Sequence, residues 1–468
     1  RWPALLPHPI HSAMRRPLVG LACLVAGLLL ACAPDPPRDP VPPLARALPL
    51  DPAPPLAQAL PLHAAPPASD PVGLGTTADP APEAPRARGL WILAEGSERV
   101  LDAPRERLGP LLDRAARLGA TDLYVQVYRG GRAFYAAGPG IERSPAVDPL
   151  ATQDVDGLRL LLEAARARGF RVHAWVNVLS LSTRRDAALI QQLGREAILV
   201  DRQGRSVLDY PDFDVPEPDR RYYRMGTRGI YLDPAVPAVR DRLVSTFVDL
   251  LRRYPELDGL HLDYIRHPGV LPFAPGSRFG VGLEFGYGAI ARERYRTETG
   301  RPDPIDGAGP GVVRSAHSWD AWRREQVTVL VEEIAANARA TRPGLEISAA
   351  VIAYDDRAYL SLAQDWRGWL RSGALDRAMP MAYTLDDALL LNQLESFAGW
   401  PYAERVWPGL GVWLFDDAPA RAIEQLGVLR RLGFRGEVLF SDDAIAQHPA
   451  LLEALAETAP GAPAETRP

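Results

Sequence analysis

Short apolar runs alternate with longer amphipathic stretches along most of this chain. Runs rich in Val, Leu, Ile and aromatic residues at 89–93, 121–127, 171–178, 259–265, 346–352, 377–383, 406–413 and 436–441 read as eight strands. Between them, 104–118, 155–168, 236–254, 318–341 and 418–432 space their apolar residues three and four apart, the period of a helix with one buried face. Gly119, Gly169 and Gly433 each stand just before a predicted strand, where the left-handed end of a helix carries no Cβ penalty. Strict strand–helix alternation predicts a parallel sheet. Eight such units over residues 87–457 predict an α/β protein of the (β/α)8 TIM-barrel type, with long loop insertions after strands 3 and 4. An open doubly wound sheet is the rival, but it carries a Gly-rich phosphate loop after its first strand, and Ala94-Glu95-Gly96-Ser97 is not one.

The segments before the barrel follow other rules. Met14, Arg15 and Arg16 precede an apolar run from Leu18 to Leu30, which is followed by Ala31 and Cys32. A charged start, a short apolar stretch and a small-residue cleavage site predict a signal peptide over 14–32. The run is too short to span a bilayer, which takes about 20 residues. Leu29-Leu30-Ala31-Cys32 resembles the lipobox of bacterial lipoproteins, which implies lipidation of Cys32 and an anchor in the cell envelope, facing away from the cytoplasm. Ala33, where a retention signal would place Asp, implies the outer membrane in a diderm source. Only Cys23 and Cys32 occur in the chain, so a mature protein starting at Cys32 has no internal disulfide. Residues 33–86 are rich in Pro and Ala and lack aromatics, the composition of an unfolded spacer, and 458–468 are similar.

Charge narrows the partners. The formal net charge is -5 and every basic residue is an Arg, so the composition makes no case for nucleic acid. The two expected insertions, roughly 183–229 and 268–311, carry Tyr210, Phe213, Tyr222 and Tyr223 in one and Phe273, Phe279, Phe285 and Tyr287 in the other. Aromatic rings on the mouth of a barrel suit the apolar faces of sugars, although they serve equally to pack a loop onto the rim.

The most informative stretch is Asp258-Gly259-Leu260-His261-Leu262-Asp263-Tyr264-Ile265-Arg266-His267-Pro268. Alternation sends Leu260 and Leu262 toward the helices and puts His261 and Asp263 on the inward face. An inward carboxylate is costly to bury unless it is paired or has work to do. Asp263 is therefore the candidate nucleophile or general base. Chemistry that both gives and takes a proton calls for a second carboxyl near the first. The strand-end acids are Glu95, Asp355, Asp356, Asp386, Asp416 and Asp442, with Asp355 ranked first and Asp386 second because they follow neighbouring strands. Gln126, Arg129, Asn177, Arg266 and Tyr383 are candidates for binding sugar hydroxyls, and Trp413 for stacking, whereas Trp175 reads equally well as core. His261 joins the substrate-binding set, as an orienting hydrogen-bond partner. No His, Asp and Glu residues show metal-ligand spacing, so no metal or other cofactor is expected. No phosphate loop, esterase elbow or zinc-protease motif occurs.

Gly-Leu-His-Leu-Asp-Tyr-Ile-Arg-His-Pro resembles the fourth-strand signature of the glycosyl-hydrolase-like 10 family, bacterial barrel proteins often secreted or lipid-anchored. Matching stretches occur in the same order: Arg88-Gly89-Leu90-Trp91, Val125-Gln126-Val127 with Gly131 and Tyr135, His173-Ala174-Trp175-Val176-Asn177, and Tyr231-Leu232-Asp233-Pro234 with Arg240. The resemblance implies an enzyme acting on polysaccharide, including peptidoglycan glycan strands. Two positions depart from it: Tyr264 where many relatives have a second Asp, and Arg132 where they have an acid. The expectation is a lipid-anchored glycoside hydrolase using Asp263 and a second carboxylate. The alternative is a carbohydrate-binding lipoprotein that keeps the barrel without the chemistry.

Overall fold

The computed structural model describes residues 86–272, 284–307 and 312–460. The expected signal peptide, Cys32 and the spacer lie outside the described residues, as do Phe273 and Phe279.

Eight parallel strands close into a ring. They are β1 (Ala87–Ile92), β2 (Asp122–Arg129), β3 (Arg171–Asn177), β4 (Gly259–Asp263), β5 (Glu346–Ile352), β6 (Arg377–Met381), β7 (Gly409–Gly411) and β8 (Gly436–Phe440), each paired with the next, and β8 pairs back onto β1. The helices outside are α1 (Pro104–Arg117), α2 (Gly157–Ala167), α3 (Pro237–Arg253), α4 (Ala316–Thr341), α5 (Trp366–Ser372), α6 (Asp387–Ala398), α7 (Pro419–Arg431) and α8 (Pro449–Ala456). This is the (β/α)8 TIM barrel expected from the alternation. Every strand falls within its predicted run except at the ends. Strand β7 is reduced to three residues, because Val412–Phe415 turns into a 3-10 helix. Trp413 consequently stands on that helix and not at a strand end.

Alternation divides the burial into two cores. Outward-facing Leu90, Leu123, Val172, Leu260, Leu262, Ile347 and Leu439 pack under the helices in one large cluster. Inward-facing Trp91, Tyr124, Trp175, Met379, Trp407 and Val438 fill the lumen. Bulky rings fit there because their neighbours lack side chains. A Cβ on Gly409 would lie 2.5 Å from the Trp91 ring, and one on Gly436 would lie 2.3 Å from Trp407. At the N-terminal end, Arg171 bridges Asp122 at 2.5 Å and Glu346 at 3.1 Å, Arg377 holds Glu346 at 2.8 Å, and His173 meets Asp122 at 2.8 Å. These pairs close the lumen floor. Arg88 works at the same end, from the outside. Its guanidinium pairs with Glu437 at 2.6 Å and donates to the carbonyls of Leu118, Leu455 and Thr458, tying β1 to β8 and to the last helix. Thr458, placed by the sequence in a loose tail, is thus part of the packed domain.

The connections after β3 and β4 are long, and each braces the other. Tyr223–Met225 pairs antiparallel with Val270–Pro272, and the amides of Gly286 and Tyr287 donate to the Val200 carbonyl. Beside them, Tyr287, Tyr295, Trp319 and Trp322 form a separate aromatic cluster against α4. Tyr210, Phe285 and Tyr287 are buried, so these aromatics fasten loops to the barrel and do not line its mouth; Tyr222 is exposed.

Candidate active site

The C-terminal ends of β1 to β4 converge on Asp263, the last residue of β4. The residue is only 6% exposed, although it stands at the strand end that opens to the mouth. Oδ2 accepts from the Trp175 indole N–H at 3.1 Å, and Oδ1 accepts from the Tyr264 amide at 2.7 Å. The second bond depends on local backbone shape. Tyr264 has φ of 53°, a left-handed conformation unusual for a residue with a Cβ, which folds its amide back onto the preceding side chain. Among the described residues, no ion pair ties up Asp263. Burial raises its carboxyl above the ordinary range, opposed by the charges of Arg266 and Arg129 and by the two hydrogen bonds. A nucleophile or general base is the sequence assignment, yet burial of this kind suits a carboxyl that holds and delivers a proton.

His261 lies one layer deeper and is wholly buried. Trp91 donates to its Nε2 at 3.0 Å, which leaves Nδ1 to carry the proton and donate to Ser348 Oγ at 2.9 Å. Burial lowers its pKa to about 3, so the ring is neutral. With both nitrogens engaged beneath the mouth, His261 is placed to hold Trp91 and Ser348 and offers no free ring nitrogen to a sugar hydroxyl.

The neighbouring strands add a polar row. Gln126 on β2 accepts from the Ala94 amide at 3.3 Å and donates to Asn177 Oδ1 at 3.2 Å, and Asn177 is in register with Asp263. A shift of register between Gln126 and Tyr128 resets the alternation of β2. Val127 and Tyr128 therefore both join the outer core, and Arg129 pairs with Glu95, just past β1, at 3.3 Å. Arg266 is 7% exposed, with its guanidinium 5.1 Å from the Tyr264 ring and, among the described residues, one hydrogen bond, to the His267 carbonyl at 3.4 Å. Across the mouth, Tyr383 stacks on Phe440 with centroids 5.6 Å apart. Burial together with the charges of Asp263 and Tyr264 raises its hydroxyl far above the usual value. Gly411 separates Tyr383 from Trp413, each within 3.1 Å of where its Cβ would be.

The two acids ranked as second carboxyls are occupied elsewhere. Asp355 opens a helix and pairs with Arg367 at 2.6 Å, while exposed Asp386 caps α6 by accepting from the amides of Ala388 and Leu389. The signal for Asp386 was present in the sequence, since Asp before Asp-Ala-Leu-Leu is a helix-start pattern. Asp442, pushed up to about 6 by burial, is held by Arg114 at 2.6 Å. Sequence reasoning did not single out Trp175 as the donor to Asp263, or Glu95 as the acid joined to Arg129. Among the described residues no group of His, Cys, Asp and Glu is arranged to hold a metal ion.

Comparison with known proteins gives a consistent picture. The family model described as glycosyl hydrolase-like 10 matches residues 86–408, more than half of the chain. Glycosyl hydrolase DigH of Escherichia coli K12 is 25% identical over 296 residues, 58% of this chain and 56% of that protein. Glycosyl hydrolase YngK of Bacillus subtilis is 23% identical over 323 residues, 64% of this chain and 51% of that protein. The matched part is thus about half the length of these relatives. Among solved structures, the glycoside hydrolase domain of PgaB (BpsB) from Bordetella bronchiseptica superposes with a TM-score of 0.56 at 16% identity, over 80% of this chain and 98% of that one. That likeness establishes the shared barrel.

Proposed function

The chain belongs to the glycosyl hydrolase-like 10 family, and from that premise we propose that it hydrolyses glycosidic bonds in a polysaccharide, with Asp263 moving the proton. The observation that carries this reading is the state of Asp263: a buried carboxyl, raised by its surroundings, free of any ion pair among the described residues, and held by two N–H donors at the mouth of the barrel. A carboxyl kept only for packing would be partnered by a guanidinium, as Asp442 is by Arg114. Gln126, Asn177, Tyr383 and Trp413 supply hydrogen-bonding groups and aromatic faces suited to a pyranose ring. The names of the relatives support carbohydrate as the substrate class.

Within that class, we propose glycan strands of the cell wall, reached by a protein lipid-anchored through Cys32 in the cell envelope. The lipobox resemblance and the family resemblance support this placement. The test is to incubate the full chain with purified sacculi and with peptide-free glycan strands, and to identify released sugars by mass spectrometry. Release from either by the wild type, absent in Asp263→Asn, supports the reading; no release from any polysaccharide contradicts it. Anchoring is checked separately by incorporation of labelled fatty acid, which Cys32→Ser should abolish.

A further inference from the structure

We propose that Glu95 is the second carboxyl of the site, acting from the β1 side of the mouth on the sugar whose leaving oxygen Asp263 protonates. This rests on the hydrolase reading above and extends it to the residue that completes the chemistry.

Four other acids of the rim are already engaged. Asp355 is paired with Arg367, Asp386 caps α6, Asp442 is paired with Arg114, and Asp443 accepts from Ser97 and from the Glu98 amide. Each is spent on holding a rim element in place. Glu95 differs, because its partner is Arg129, itself a residue of the mouth whose charge acts on Asp263. Glu95 is half exposed, so a substrate can reach it. Its backbone is fixed from within, since the Ala94 amide donates to Gln126, which in turn holds Asn177, the register partner of Asp263. A row of hydrogen bonds therefore runs along the rim from β1 to β4. β1 and β4 stand three places apart in the ring of eight, so residues following their C-terminal ends belong to the same mouth.

The environments also divide the work. Burial favours the protonated form at Asp263, whereas Glu95 is half exposed and stands beside the Arg129 guanidinium. In the reaction, the Asp263 carboxyl gives its proton to the glycosidic oxygen as the C1–O bond breaks, and the bonding pair leaves with that oxygen. C1 receives an oxygen lone pair in return, either from a water whose proton Glu95 takes or from the Glu95 carboxylate. On the second route a water then attacks C1, the C1–O bond to Glu95 breaks with its pair returning to the carboxylate, and Asp263 takes the proton of that water. The sum is addition of one water across the bond, and exchange with solvent returns both carboxyls to their starting states.

Chemical rescue tests this. Full-length Glu95→Ala, assayed on peptide-free glycan strands, should lose about 100-fold or more of the wild-type rate. Sodium azide, small enough to enter the vacated space, should restore at least about tenfold of that loss. The restored reaction should yield a glycosyl azide, identified by mass spectrometry. Glu95→Gln should lose as much and form no azide product, because the amide still fills the space. Activity of Glu95→Ala close to wild type overturns the proposal, and so does a loss that azide does not relieve. A wild type inactive on every polysaccharide overturns the hydrolase reading itself, and this proposal with it.

Discussion

The indole N–H of Trp175 lies 3.1 Å from Oδ2 of Asp263, joining the neighbouring strands β3 and β4 by their side chains at the mouth of the barrel. This bond favours the ionised carboxylate, against the burial that raises it. Trp175→Phe keeps most of the ring and removes the donor. The account predicts that the carboxyl titrates at higher pH in this variant. The limb of the pH–rate profile governed by Asp263 should then move toward alkaline pH, with kcat reduced about tenfold, as expected for loss of one hydrogen bond to a charged group. A profile that coincides with the wild type in both limbs would contradict it.

Asp263 should also cost the fold something. Its folded-state pKa is raised, so the native state holds a proton that the unfolded chain releases, and stability falls as pH climbs from the ordinary carboxylate range through the raised value. Asp263→Asn removes that penalty. It should melt at a higher temperature than the wild type at neutral pH, and the difference should vanish in acid below the unfolded pKa. Calorimetry across pH checks this.

Glu346 behaves in the opposite sense. Set among Arg377, Arg171 and His173, its carboxyl is lowered to about 2 despite burial. A depressed carboxyl contributes stability above its unfolded pKa and loses it as pH falls toward the folded value. Glu346→Gln should therefore destabilise the barrel at neutral pH by roughly 2–4 kcal/mol, with the deficit shrinking between about pH 4.5 and 2. Denaturant unfolding at several pH values measures it.

For His261, support and contact give different outcomes. Its removal leaves the Trp91 indole and the Ser348 hydroxyl without partners in a closed lumen. His261→Ala should lower stability by about 2–4 kcal/mol. In the fraction that remains folded, KM should change little. A large rise in KM with stability intact would return His261 to the binding set.

Much of this arrangement is legible along the chain, and the limits have physical causes. Leucines at 260 and 262 fix the outward face of β4, so the inward placement of His261 and Asp263 follows from the pleat alone. The same alternation fails on β2, where the register shift puts Val127 and Tyr128 both in the outer core. Strand β7 ends early because its residues turn into a 3-10 helix around Trp413, which no periodicity announces over so few residues. Asp355 and Asp386 follow strands close to β4, but position along the chain does not say whether an acid faces the mouth, an Arg or a helix end. For the same reason Glu95 gained weight only through Arg129, a contact between two strand ends that are distant in sequence.

Whether Asp263 moves the proton is decided by kcat of Asp263→Asn on peptide-free glycan strands, measured on protein whose unfolding transition shows it intact. A fall of about 100- to 10,000-fold with the fold preserved is expected. A well-folded variant that turns over within a few-fold of the wild type would contradict it.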